Sequence, residues 1–309
     1  MTQPPNDNRD SNELDGLVQR MRDEFGPRRP PEESPSSDPR LPPPSFPSPE
    51  RPEVISGEAS PIPPQGQVRV RLPSTQPLLV WVLLGLNVAI YGLSCLLSQN
   101  LVNPSSAVLQ LLGWKQNDLI QGGEYWRLLS ATFLHGNLVH IFFNGYSLYA
   151  LGPESERIYG SQRFLALYLL AGLAGSVASY ALTRGPSVGA SGAIFGLIGS
   201  LAVFYYINRQ TLGEAGRAQL QSMAAVVMIN LFIGFSARGV IDNFAHLGGL
   251  AGGVLAGLAL APRFSVDRRL YPPVLVRSFP TWGWAAAGGL LIGLAALVLT
   301  ITPPLVQPS

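Results

Sequence analysis

The sequence predicts an all-α, polytopic membrane protein, with seven transmembrane helices behind a disordered, proline-rich N-terminal tail. Three observations carry this reading. The chain of 309 residues is 47% hydrophobic and only 13% charged, whereas about a quarter of the residues in a soluble domain are charged. Residues 1–77 hold 12 of the 19 acids and 18 of the 28 prolines. After them comes a succession of apolar stretches of about 17–25 residues, the length that crosses roughly 30 Å of hydrocarbon. In lipid a helix satisfies its backbone groups locally, so these stretches are read as helices.

The tail, 1–77, is expected to face the cytoplasm. It is too rich in Pro, Ser and Glu to bury enough apolar surface to offset chain entropy. No apolar run follows Met1, so it does not read as a targeting peptide. Within it, Leu14, Leu17, Val18, Met21 and Phe25 recur at helical spacing, which marks 13–25 as a short amphipathic helix. The expected spans are 78–97, 138–151, 162–183, 189–208, 220–235, 243–261 and 282–301. The segment at 138–151 is short, and its apolar density and the need for a consistent topology include it. Arg and Lys near span ends set orientation. With the N-terminus cytoplasmic, ten arginines flank the inner ends and four basic residues the outer ends. The C-terminal region 262–309 then comprises a cytoplasmic linker, the seventh helix and a short external tail.

Composition also limits function. The net charge is +2, and no basic cluster is interleaved with aromatics, which argues against a nucleic-acid partner. The one cysteine, Cys95, permits no intrachain disulfide.

Polar residues inside apolar spans are costly and point to function. Ser191 lies near the outer end of the fourth span and His246 near the outer end of the sixth, at similar depth. His246, Gly249, Gly253 and Gly257 form one helical stripe. Gly192, Gly196 and Gly199 give the fourth span a matching small face, of the kind that lets membrane helices approach backbone to backbone. A serine hydroxyl becomes a nucleophile when a base takes its proton, and histidine is the usual base. His140 and Asn144, four apart, share one helix face. With the Ser191 amide they form a set of donors suited to an oxyanion. His135, five before His140, is expected to point about 140° away and to support a neighbouring loop. Asp242 reads as a solvated loop carboxylate. Competing chemistries fail on inventory: there is no HExxH zinc motif, no pair of intramembrane aspartates, and the one lysine, Lys115, lies in the first loop.

These residues fall within recognisable blocks. "HGNLVHIFFN" at 135–144, "GASG" at 189–192 and "AHLGGLAGG" at 245–253 resemble the signatures of the rhomboid family of intramembrane serine proteases. "EYWRLLSATFLH" at 124–135 resembles its Trp-Arg loop, and "GPESERIYG" at 152–160 its Glu-Arg-x-x-Gly element. The similarity covers residues 78–261. It implies a six-helix core around a water-filled cavity, to which 282–301 adds the seventh helix that some members carry. It also implies Ser191 as nucleophile, His246 as general base, and His140 and Asn144 as oxyanion donors. Gly189 and Ala190 match the tight approach to the nucleophile, and Trp126, Arg127, Glu156 and Arg157 match structural positions. Phe195 stands one turn after Ser191, where some members carry a tyrosine against the imidazole.

The sequence therefore predicts a serine endopeptidase acting on transmembrane protein substrates in contact with membrane lipid, without metal or cofactor. The site is expected to open to the outer face of a bacterial plasma membrane. The alternative is a non-catalytic rhomboid-like protein that binds membrane clients; a transporter reading lacks a duplicated half or a charged midplane pair.

Overall fold

A computed structural model describes residues 76–236, 241–267, 269 and 274–304. The tail, apart from its last two residues, and the expected helix at 13–25 lie outside them. Among the described residues, five helices are long and apolar enough to cross a membrane: α1 (Leu79–Leu97), α6 (Ser161–Leu182), α8 (Arg209–Ser236), α9 (Asn243–Leu260) and α10 (Gly283–Thr300). The chain is a multi-pass integral membrane protein. Its outward surface bears large apolar side chains on several of these helices, such as Leu96, Phe232 and Ile292, as a surface covered by lipid rather than water should.

Two more helices stand among the five. α5 (Leu138–Tyr159) has 22 residues, but its last two turns carry Glu154, Glu156 and Arg157. α7 (Ser191–Ile207) has only 17, which at 1.5 Å per residue makes it about 25 Å long. Between α1 and α5 the chain forms α2 (Ser106–Leu112), α3 (Asn117–Gln121), α4 (Arg127–Ser130) and a 3-10 turn at Ala131–Phe133. The stretch expected as a span at 220–235 belongs to the longer α8, whose helical path breaks at Gly213, with φ 57° and ψ −135°.

One element departs from the all-α expectation. The linker after α9 contains a hairpin of β1 (Arg263–Asp267) and β2 (Val274–Ser278), antiparallel, with Arg263 opposite Ser278. Its anchor is Phe264, buried edge-on against Phe204. Asn208 bonds to both sides of this junction, accepting from the Phe264 amide at 2.7 Å and donating to the Pro262 carbonyl at 2.9 Å.

α7 is the centre of the bundle, buried along almost its whole length. Ala193, Leu197 and Leu201 pack with Phe164, Leu167 and Tyr168 of α6 in one fully buried cluster. α9 meets α7 without intervening side chains. A Cβ at Gly249 would sit 2.0 Å from the Gly192 carbonyl oxygen, and one at Gly253 would sit 2.3 Å from Gly196 Cα. The glycine stripe thus brings two backbones into contact, and the N-terminal parts of both helices are locked at one crossing.

The first helix is fixed by a buried carboxylate. Glu156, fully buried, accepts from the Leu79 and Val80 amides at 3.0 and 2.8 Å and from Ser161 Oγ at 2.6 Å. These amides are orphans of the α1 N-terminus, where negative charge is favoured by the helix dipole.

Candidate active site

Three elements converge near the N-terminus of α7. The first is the start of α5. Asn137 caps it, its side chain accepting from the His140 amide at 2.8 Å, a standard role for asparagine at this position. The cap sets the rotation of the first turns, so His140 and Asn144 project from one face. Both reach Gly189: a Cβ there would lie 2.6 Å from His140 Nε2 and 3.4 Å from Asn144 Nδ2. Asn144 Nδ2 is buried and has no partner among the described residues.

The second element is the chain leading into α7. Gly189 has φ +128°, a region that L side chains rarely occupy, and its amide donates to the Ala131 carbonyl at 2.9 Å. A side chain at 189 would thus be strained and would also displace His140. Ala190, buried, is the N-cap residue, and Ser191 opens the helix, half-buried.

The third is the start of α9. The His246 ring stacks on Phe195, centroids 4.3 Å apart and planes 11° from parallel. Phe195 is one helical turn after Ser191, so the imidazole lies over the turn that Ser191 begins. His246 Nδ1 is buried without a partner among the described residues. Ser191 and His246 are not hydrogen-bonded to each other here.

The supporting residues take different places from those spacing suggested. His135 precedes α5, so helical periodicity does not place it. Its ring, fully buried, lies edge-on to His140 with centroids 5.2 Å apart. Burial, with the adjacent His140 imidazole adding, holds its pKa down at about 3, so it is neutral at ordinary pH. Asp242 is not a free loop carboxylate. It caps α9, accepting from the Ala245 amide at 3.0 Å, from Thr183 Oγ1 at 3.2 Å and from Ser179 Oγ.

Trp126 and Arg127 form a clamp in the loop between α1 and α5. Arg127 is buried and donates to the Gln110 carbonyl at 2.7 Å, pairs with Glu124 at 2.7 Å, and lies 4.8 Å from the Trp126 ring centroid. That ring covers Gly113, where a Cβ would come within 2.1 Å of Trp126 Cζ3. Neither residue is placed with Ser191; both shape the loop.

The family model for the Rhomboid domain matches residues 122–263, a stretch that holds His140, Asn144, Ser191 and His246. Residues 122–263 thus form a rhomboid-family domain. It is 42% identical over 169 residues to "Rhomboid protease GluP" of Bacillus subtilis (strain 168), a match covering 53% of this chain and 32% of that protein. It is 38% identical over 180 residues to "RHOMBOID-like protein 5" of Arabidopsis thaliana, covering 56% of this chain and 57% of that one. "RHOMBOID-like protein 4" of the same plant is 39% identical over 165 residues, covering 53% and 41%. The matched region thus spans about a third to three fifths of these rhomboid relatives. They come from both a bacterium and a plant, and kinship alone selects no compartment.

Proposed function

We propose that this chain is an intramembrane serine endopeptidase that hydrolyses peptide bonds in or near transmembrane segments of membrane-protein substrates. The observation that carries the reading is the convergence of His140 and Asn144 on Gly189, two residues before Ser191. The stack of His246 on Phe195 supports it from the other side, and one relative is named a protease.

In this reading His246 takes the Ser191 proton as the hydroxyl oxygen attacks the substrate carbonyl. The resulting oxyanion accepts hydrogen bonds from His140, Asn144 and the Ser191 amide. His246 then gives its proton to the leaving amine, and an acyl-enzyme remains on Ser191. Water, deprotonated by His246, attacks the ester and releases the acid. Phe195 holds the imidazole in plane by stacking, and His135 buttresses His140. Each oxyanion donor of this type is worth roughly 10²–10³ in kcat.

In this reading the chain spans the membrane seven times, α5 and α7 included, which leaves its termini on opposite faces, and the arginine distribution favours a cytoplasmic N-terminus with the mouth of the site on the outer face. At about 25 Å, α7 is shorter than the roughly 30 Å hydrocarbon layer, which favours a nucleophile sunk below the outer surface and reached by water from that side. The setting proposed is a bacterial plasma membrane, in line with the Bacillus relative.

The test is cleavage of a panel of single-span substrates by purified protein in vesicles. Two fragments are expected with the wild-type chain and none with Ser191→Ala or His246→Ala. A folded wild-type protein that retains substrates on affinity resin but cleaves none of the panel would support the client-binding alternative and overturn the protease reading.

A further inference from the structure

The one lysine of the chain is fully buried, in the loop between α1 and α5. A buried ammonium is costly without acceptors, so its partners define its role. Lys115 Nζ donates to the carbonyls of Thr183 and Gly185 at 3.0 and 2.8 Å. Its backbone pairs with Ser187 in both directions, at 3.0 and 3.1 Å. Asn117, two residues on and also buried, donates through Nδ2 to the Thr183 carbonyl at 2.9 Å and to the Pro304 carbonyl at 2.7 Å. The three-residue stretch 115–117 therefore grips 183–187, the segment that runs from the end of α6 towards Gly189, Ala190 and Ser191.

Two physical features make this grip specific. Thr183 is the C-cap of α6, so the carbonyls there are orphans at the negative end of a helix dipole, where a cation is favoured. A lysine supplies several donors at one point, enough for carbonyls two residues apart in a turning chain. The same segment is tied from its other side to α9, because Ser179 and Thr183 donate to Asp242. Asp242 caps the helix that carries His246 four residues later. Pro304, just beyond α10, joins through Asn117. Loop, nucleophile approach, base helix and the chain after α10 thus meet at Thr183.

We propose that Lys115 is a positioning residue: its ammonium, clasping the Thr183 and Gly185 carbonyls, fixes the backbone that delivers Ser191, and Asn117 extends the clasp to the chain following α10. The catalytic consequence rests on the protease reading above; the structural one does not. Lys115 is no general base, since its nitrogen is engaged by carbonyls. Burial, against the pull of the Asp242 carboxylate, brings its pKa down to about 8, so it is mostly charged at neutral pH and the clasp is ionic in part.

The experiment uses the full chain in detergent micelles, with Lys115→Met, Lys115→Arg and Asn117→Leu. Hydrogen exchange is followed at the Ser187 and Gly189 amides, which donate to Lys115 and Ala131. Exchange at both is expected to quicken at least tenfold in Lys115→Met, with protection in α7 and α9 unchanged, and to return towards wild type in Lys115→Arg. Asn117→Leu should loosen Thr183 and the chain at Pro304 together. On a cleaved single-span substrate, kcat should fall 10- to 100-fold in Lys115→Met with KM within about twofold. Unchanged exchange at Ser187 and Gly189 in Lys115→Met overturns the clasp, and a rise in KM with kcat intact overturns its catalytic consequence. If the wild-type chain cleaves nothing, the protease reading fails while the exchange comparison still decides the clasp. Should Lys115→Met not fold, Lys115→Gln carries the same comparison.

Discussion

Alanine at Gly249 would place a methyl group 2.0 Å from the Gly192 carbonyl oxygen, 2.6 Å from its carbon and 2.8 Å from its Cα. All three atoms are backbone, so no rotamer change relieves the clash. Ordinary contact begins at 3.4 Å, which means the first turn of α7 and the second turn of α9 must part by about 1.4 Å. Overpacking of this kind costs about 1–3 kcal/mol, and alanine's better helix propensity offsets roughly 0.5–1 of it. The protein should therefore stay folded, with a modest fall in Tm. Catalysis should suffer far more. Gly192 adjoins Ser191 and Gly249 lies one turn from His246, so the same displacement separates the proposed nucleophile from the proposed base, and a 1 Å misplacement can cost about 100-fold. The assay is steady-state cleavage of a single-span substrate together with thermal unfolding. Gly288→Ala serves as control, since a Cβ there meets nothing within 4 Å. A Gly249→Ala protein with wild-type kcat and a rigid α7–α9 contact would refute the reasoning.

Other outcomes follow from the same geometry. Asn144→Ala should lower kcat by roughly 10²–10³-fold with little change in Tm, because it removes an unpartnered donor aimed at Gly189 rather than a structural bond. Phe195→Ala should reduce kcat while Phe195→Tyr preserves it, as stacking on His246 needs a ring and not a hydroxyl; kinetics of the two variants decide. Glu156→Gln should destabilise the fold by about 1.5–3 kcal/mol, the worth of hydrogen bonds to a charged group, seen as a lower Tm. His135 has a folded pKa of about 3 against an ordinary 6.5, so the unfolded chain binds more protons between these values. Its contribution is full above about pH 6.5 and is lost as pH falls towards 3; His135→Phe should flatten the acid limb of a Tm-versus-pH profile.

The parts of the site that stood out in the sequence were polar groups in apolar spans. Ser191, His246, His140 and Asn144 were visible because lipid penalises them, and the glycine stripe of α9 announced close packing. What spacing misplaced lay at helix boundaries. His135 was assigned a direction by continuing the α5 period backwards through Asn137, yet asparagine is a favoured N-cap, and taking it as one would have ended the helix there. Asp242 was read as solvated for the same reason; it precedes the α9 repeat as a capping residue does. The hairpin was missed because ten strand residues carry little signal beside eighteen-residue spans, although Phe264 and Val266 alternate with polar neighbours. Lys115 left no trace of its role, since its acceptors are backbone carbonyls about 70 residues away, and no side-chain pattern encodes them.

The central claim is that His246 activates Ser191. Its most direct test is the mass of the intact, folded protein after exposure to a fluorophosphonate, with the site of attachment mapped by peptide sequencing. One adduct on Ser191 is expected in the wild-type chain, none in Ser191→Ala, and at least 100-fold slower labelling in His246→Ala. Equal labelling rates with and without His246, or an adduct that persists in Ser191→Ala, would contradict the account.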